Sequence, residues 1–345
     1  HVMSALKVLR AGPVMSVQDM GRPGLLERGI SQGGAADTLA LAEGAAMLRQ
    51  DAGLAALEMG GLGGTFEAVG TLRIALTGAP MLATLDGEAL AWNASHQVAA
   101  GQKLVIGAAR RGVYGYLHLG GGIDTDEMLG SRAVHLMGGI GAATREGDFL
   151  PAGTDANHET GVGIDAEDRF SGGALRIVES FQSGLFPDDV LARFGAAAFT
   201  RGGRANRMGV EMVSDGDGFS AAGQLNILSE VIAPGDVQMT GDGKPFVLLR
   251  ECQTTGGYPR IGTVLPCDLA RVAQAGNGAA LRFEWVTLEQ GLEIQARYDA
   301  YIKSLPSRCE PLVRDPSEMA NLLSYQLISG AISADADPFD TGVNT

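Results

Sequence analysis

The sequence predicts a mainly β chain arranged in two units, and three observations carry that prediction. Short apolar runs of strand length recur between turn signals, as where residues 81–85 lead into Asp86-Gly87 and then 88–92. Glycine supplies 51 of 345 residues, about twice its usual share, with no short repeat, which fits many tight turns between short strands. Residues 152–173 interrupt the pattern with Ala, Gly, Asp and Asn, which reads as a linker between a unit over 1–155 and another over 174–305.

In the first unit, strands are expected at 72–76, across the hairpin at 81–92, and at 103–106 and 113–119. In the last of these, Tyr114, Tyr116 and His118 alternate with Val113, Gly115, Leu117 and Leu119. One helix fits between Asp37, a side chain suited to cap free backbone N–H groups, and Leu48. The second unit begins at Leu175-Arg176-Ile177-Val178, and Pro187-Asp188-Asp189 opens a short helix to Phe194. Strands follow at 235–239 and 245–249 around the turn Gly241-Asp242-Gly243, then a helix at 268–274 and a strand at 280–285. Thr287 and Gln290 have the spacing of a capping box. The helix behind them carries Ile294, Tyr298, Tyr301, Ile302 and Leu305 on one face, a stripe that reads as core packing. Residues 306–345 read as an extension, with a helix from Asp315-Pro316-Ser317-Glu318 to Gly330 and a polar tail from Ala334.

The formal net charge is −14, so nucleic acid and anionic membrane surfaces are poor partners: tracking phosphates needs clustered Lys and Arg. No apolar run reaches the roughly 18 residues of a membrane span, and no secretory signal opens the chain, His1-Val2 before Met3 reading as a remnant. Cys252, Cys267 and Cys309 are far apart without a CxxC pair, which argues for reduced thiols and a cytoplasmic setting and against a zinc site. Cys252 reads as a small buried apolar residue.

Several patterns invite chemistry. Gly29-Ile30-Ser31-Gln32-Gly33 matches GxSxG, but a nucleophile elbow needs a parallel α/β sheet beneath it, and no βα alternation is present. None of His96, His118, His135 and His158 stands in a metal-binding pair, so no metal site is expected, and His118 reads as structural. Gly241-Asp242-Gly243-Lys244 is followed by Pro rather than Ser or Thr, so it is a turn and not a phosphate loop. Arg22, Arg132, Arg145, Arg204, Arg207 and Arg260 all sit at or near Gly-rich turns, where guanidinium groups can grip a carboxylate or phosphate bidentately. The plain alternative is that they pair with the surplus acids. Asp19 and Glu58 are candidate general bases or cation holders, and Asp19 serves equally well as the residue that orients Arg22.

Four blocks fall in a telling order: Gln18-Asp19-Met20-Gly21-Arg22, Gly33-Gly34-Ala35-Ala36-Asp37, Asn206-Arg207-Met208-Gly209 and Gln253-Thr254-Thr255-Gly256-Gly257-Tyr258-Pro259-Arg260. With Leu119-Gly120-Gly121-Gly122-Ile123 and Gly130-Ser131-Arg132 between them, the set resembles the KipA-like family. That family is also described as carboxyltransferase subdomains A and B, or as the C subunit of 5-oxoprolinase. The resemblance runs from about residue 6 to about 297 and implies two cyclophilin-like β-barrel units with a few peripheral helices. It implies a site built from catalytic Asp19, Arg22 and Arg207, with Gln18, Asn206, Gln253, Thr254, Thr255, Gly256, Gly257, Tyr258 and Arg260 binding substrate. It departs at Arg49-Gln50-Asp51, where Gly-Asn is usual, and at Ser131-Arg132-Ala133-Val134, which lacks the Ser-Thr that often follows Arg.

The activity implied is that of a 5-oxoprolinase: with a KipI-like partner and a lactam-acting partner, such complexes open 5-oxoproline to L-glutamate at the expense of ATP. ATP and Mg²⁺ belong to the complex, and the substrate is a small carboxylate or amide. One alternative is the carboxyltransferase component of a biotin-dependent urea carboxylase in the allophanate pathway. Biotin would then ride on another chain, since Lys7, Lys103, Lys244 and Lys303 lack flanking methionines. A third reading is a non-catalytic antagonist of a KipI-like kinase inhibitor.

Overall fold

A computed structural model describes residues 4–221 and 227–313. Strands dominate it. Two open sheets occupy the first part of the chain. The six-stranded one runs Phe149–Pro151, Ala5–Arg10, Thr65–Val69, Lys103–Ala109, Met81–Leu85, Glu88–Ala89. The seven-stranded one runs Met15–Gln18, Ala56–Gly60, Tyr114–Leu119, Leu72–Gly78, Ala94–Val98, Val162–Gly163, Glu310–Pro311. Leu6, Phe66 and Leu104 of the first sheet share one core with Leu57, Ile74 and Leu117 of the second. The turn Asp86-Gly87 has positive φ at both residues, +50° and +91°, the backbone that a tight two-residue hairpin requires.

The later part closes on itself. Strands Gly173–Val178, Arg260–Val264, Asp236–Met239, Pro245–Leu248, Gly209–Val213, Phe199–Ala205 and Ala280–Trp285 form a barrel, and the seam pairs Gly173–Val178 in parallel with Ala280–Trp285. Phe194, Phe199, Phe219 and Phe283 fill it, with Phe194 stacked on Phe283 at 4.6 Å between ring centres.

Among the described residues, four α-helices pack around the sheets: α1 (Thr38–Leu48), α2 (Asp188–Ala196), α3 (Leu269–Gln274) and α4 (Leu288–Ser304). Asp37 caps α1 by accepting from Ala40 N–H at 3.1 Å. Thr287 and Gln290 form the reciprocal capping box at the start of α4. On α4, Tyr298, Tyr301 and Ile302 lie with Leu305 against Leu48 and Ala46 of α1, which bears out the core reading for these four residues of the stripe but not for Ile294.

Three expectations change in detail. Strand Tyr114–Leu119 alternates in sequence, yet both faces are buried: Leu117 and Leu119 meet the first core, while Tyr114 and Tyr116 face the barrel. Two cores rather than one core and solvent explain this. The 152–173 stretch is fastened, because Arg169 is buried and ion-paired to Asp37 at 2.6 Å and Glu43 at 2.7 Å. Residues 306–313 return to the first part of the chain, where Glu310–Pro311 pairs with Val162–Gly163. The expected helix from Asp315 to Gly330 and the tail beyond it lie outside the described residues. No helix among the described residues is long and apolar enough to cross a membrane.

Arg49, at the first family departure, adopts φ +50° as the C-cap of α1, the left-handed position where glycine is usual. Gln50 then bridges Leu119 C=O and Gly121 N–H, at 3.1 and 2.9 Å, and so anchors the glycine run.

Candidate functional site

Two family-like blocks meet backbone to backbone. Gly21 and Gly34 have φ of +81° and +84°, and a Cβ on Gly34 would come within 2.6 Å of the Gly21 nitrogen. Only glycine permits both the conformation and the approach. This contact sets residues 29–36 beside the loop 128–138.

The Gln18-Asp19-Arg22 block is what shapes that loop. Gln18 Nε2 donates to Val134 C=O at 3.0 Å. Asp19 accepts from Ser131 Oγ at 2.6 Å, Arg132 N–H at 2.7 Å and Gly21 N–H at 2.8 Å. Arg22, 1% exposed, donates to the carbonyls of Met128, Ser131 and Ala133. Three side chains expected to act on substrate are thus committed to folding a loop. Asp19 and Arg22 hold the same loop at Ser131, and the Asp19 charge also favours the Arg22 cation. The hydroxyl that follows Gly130 is therefore structural.

What the loop delivers is His135. Together with Ser31 it lines a cavity of about 400 Å³ that Glu251, Gln253, Thr254 and Thr255 also line. Ser31 Oγ and His135 Nε2 stand 2.8 Å apart, and Gly138 N–H donates to His135 Nδ1 at 3.0 Å. A neutral ring nitrogen that accepts carries no proton, so Nε2 holds it and donates to Ser31. Burial pushes the His135 pKa down; Arg22 and Arg207 add to this and Glu251 opposes it. The ring is neutral at pH 7. Ser31 therefore has its own hydroxyl proton free to donate, and His135 has no lone pair with which to activate it as a nucleophile.

Arg207 is the second departure from expectation. Its guanidinium donates to Glu58, to Glu251 at 2.7 Å and to Gly34 C=O at 2.6 Å. Glu58 in turn accepts from Tyr116 Oη at 2.6 Å and Ala36 N–H at 2.8 Å. Burial opposes the Arg207 charge, but the two carboxylates outweigh it and hold the pKa above its ordinary value. The same Glu58, after burial, pushes the Tyr116 phenol well up. Arg207 is a latch between the two parts of the chain, and it leaves Glu251 Oε2 without a donor among the described residues.

Arg260 is likewise engaged, with Glu230 at 2.5 Å, Asp236 at 3.4 Å and Gln182 Oε1 at 3.3 Å. Its contacts hold strand Glu230–Val231, which pairs with Thr255–Gly256. Arg22 keeps Nη1 buried without a hydrogen-bond partner, whereas Arg207 and Arg260, also expected to grip a small acid, are engaged by protein carboxylates and carbonyls. The surplus of acids over bases supplies the physical reason.

Of the remaining predicted residues, Asn206, Gln253 and Tyr258 line a second cavity of about 680 Å³ with Gln238 and Phe246, Thr254 and Thr255 line the small one, and Gly256 and Gly257 line neither. Asn206 Oδ1 accepts from Met208 N–H at 2.7 Å. Met208, Cys252 and Gln253 belong to the walls of both cavities, so the two adjoin. Arg22 lines neither, and Tyr258 only the larger. Gly257 lies beside Ser229. Burial pushes the Cys252 thiol up to about 12, so it is no thiolate.

Sequence reasoning misses Ser31, His135 and Glu251. Ser31 is visible in the GxSxG match but falls away with the hydrolase reading. His135 lies 104 positions from it and carries no local signature.

Chemically, a hydroxyl donor and a carboxylate acceptor line the same small cavity, a pair that suits the C=O and N–H of a neutral amide. The described residues hold no cluster of three or more His, Cys, Asp or Glu that could bind a metal.

The family described as carboxyltransferase domain, subdomain A and B, matches residues 28–285. The chain is 33% identical over 312 residues to the C subunit of 5-oxoprolinase from Escherichia coli K12, covering 88% of this chain and 98% of that protein. It is 25% identical to a putative urea carboxylase of Emericella nidulans, over 89% of this chain but 26% of that protein. Among solved structures, the urea carboxylase of Kluyveromyces lactis aligns with a TM-score of 0.77 at 22% identity, over 92% of this chain and 31% of that one. TTHA0988 aligns with a TM-score of 0.74 at 28% identity, over 82% of this chain, which spans about half (56%) of that one.

Proposed function

The chain belongs to the carboxyltransferase domain family, subdomains A and B, and from that premise we propose that it is the C subunit of a 5-oxoprolinase complex. In that role it works with a KipI-like partner and a lactam-acting partner to open 5-oxoproline to L-glutamate at the expense of ATP. The observation that carries the reading is coverage: the alignment spans 98% of the bacterial 5-oxoprolinase protein, against 26% of the fungal urea carboxylase.

The cavities support an amide substrate. A small cavity of about 400 Å³ fits a compact ligand. Ser31 can donate to an amide oxygen, and Glu251 Oε2 can accept from an amide N–H. His135 serves by positioning Ser31, and Arg207 by positioning Glu251.

ATP would supply the phosphoryl group that makes the lactam carbon electrophilic. The donor set lining the small cavity does not fit it: Arg207 and Arg260 are engaged by carboxylates, Arg22 lines neither cavity, and the small cavity presents the carboxylate Glu251. Nucleotide and Mg²⁺ are assigned to a partner protein of the complex.

Urea is also a neutral amide, and the fold match to urea carboxylase keeps carboxyl transfer as the second reading. The test is to co-express the chain with candidate KipI-like and lactam-acting partners and assay both activities. ATP-dependent glutamate release from 5-oxoproline upholds the proposal. Biotin-dependent carboxylation of urea without glutamate release replaces it with the second reading. Tight binding to a KipI-like partner with neither activity favours the antagonist.

A further inference from the structure

Helix α4 is thinly covered: within Leu288–Ser304 only Gly291 is buried. Tyr298, Tyr301 and Ile302 turn one face of it toward α1. Leu288, Leu292 and Ala296, spaced one turn apart, form a second stripe roughly a third of a turn away. Leu288 and Leu292 are each 63% exposed, and Leu288 borders an open hollow of about 510 Å³ with Val178, Trp285 and Val286. Aligned leucines beside such a hollow form a contiguous apolar patch, unlike the single apolar side chains that are normal on a surface.

The chain itself supplies a matching surface. Beyond α4, Pro311 pairs with Val162, and Val162 packs in the same cluster as Tyr298, Tyr301 and Ile302. Pro311 therefore sits beside the carboxy-terminal half of α4, and Val313, 87% exposed, is two residues further on. The sequence that follows reads as a helix opened by Asp315-Pro316 and stopped by Gly330, with Met319, Leu322, Leu323 and Leu327 on one side. A helix over 316–329 is about 21 Å long, the same as α4 from Leu288 to Ile302.

We propose that residues 316–329 fold back along α4 as the second arm of a helical hairpin and cover its leucine stripe. Starting beside Ile302 and running antiparallel, the segment sets Met319 against Ala296, Leu323 against Leu292 and Leu327 against Leu288. The long Met319 meets the small Ala296, and Leu327 reaches the hollow beside Trp285. Tethering favours this occupant over a separate protein, because a short link holds the segment near the stripe at an effective concentration on the order of millimolar. Leu288, Leu292 and Ala296 line neither site cavity, so the proposal stands apart from the proposed function.

The test is cysteine crosslinking in the full chain carrying Cys309→Ser, Cys252 and Cys267 being buried. Leu292→Cys with Leu323→Cys should form a disulfide within one chain under mild oxidation. Leu292→Cys with Asn321→Cys, on the opposite side of the segment, should not. A second readout is amide exchange, which Leu323→Asp with Leu327→Asp should speed about tenfold or more along residues 288–296. Absence of the Leu323 crosslink, equal crosslinking through Asn321, or unchanged exchange in the aspartate variant would overturn the proposal. Disulfides that join two chains would also overturn it, since they seat a second copy on the stripe.

Discussion

Ser31 and His135 show how much of a site rests on one proton. Because Gly138 N–H occupies Nδ1, the imidazole is a donor toward Ser31, and the serine becomes a donor toward the cavity. Ser31→Ala should therefore lower kcat/KM of the reconstituted complex about tenfold or more, with little change in melting temperature. An unchanged kcat/KM would remove Ser31 from the site. Arg207 makes the opposite point. Arg207→Ala leaves Glu58 and Glu251 buried without a counter-charge, so a loss of about 3–5 kcal/mol of stability is expected, rather than a folded but inactive protein. Urea denaturation checks this, and adding Glu58→Gln and Glu251→Gln should recover part of the loss. His118 supplies a pH dependence. Burial lowers its pKa to about 3 from the usual 6.5, and its Nε2 lies 2.7 Å from Thr77 Oγ1. The unfolded chain takes up that proton more readily than the folded one. The neutral ring therefore contributes fully above pH 6.5, and stability falls as pH drops from 6.5 toward 3. Melting temperature followed over that range should fall less steeply in His118→Gln.

At the scale of elements, α1 is the most heavily anchored. Its cap Asp37 also takes Arg169 and Gln274, at 2.6 and 2.8 Å, and Arg169 doubles back to Glu43 on the helix. Arg169→Leu should strand two buried acids and speed amide exchange along residues 38–48; unchanged protection there would show that the ion pairs add nothing. The cap itself is legible in the sequence, because Asp before an apolar run is a local signal. So are the Asp86-Gly87 hairpin and the Thr287–Gln290 box, each readable within a few residues. Arg169 is not, since its meaning depends on partners 132 and 126 positions away. The same distance problem governs the site. The family-like blocks mark the right neighbourhood, but sequence cannot show that Gln18, Asp19, Arg22 and Arg207 face inward to hold loops while Ser31, His135 and Glu251 face the cavity. A charged residue in a glycine-rich block looks the same whether it grips a ligand or its own backbone. Strand 199–205 escapes sequence reading for a related reason: Arg and Gly interrupt its alternation, and pairing around the barrel overrides local preference.

At the scale of the molecule, the small cavity draws Ser31 and His135 from the open sheets' part of the chain and Glu251 from the barrel's part, with Arg207 bridging them. Leu305, 1% exposed where α4 reaches α1, adds a second junction, and Leu305→Ala should cost about 2–5 kcal/mol in a denaturant titration. The two-stranded pairing of Glu310–Pro311 with Val162–Gly163 carries a practical meaning for anyone dissecting the protein. The chain crosses from sheets to barrel and then comes home, so its opening half borrows an outer strand from residues that follow the barrel. Scissoring the gene between 155 and 174 would give an amino-terminal fragment missing that strand, and a carboxy-terminal fragment whose Glu251 has lost Glu58 as fellow acceptor on Arg207. Such pieces are expected to become soluble only when expressed together, as a split protein that reassembles.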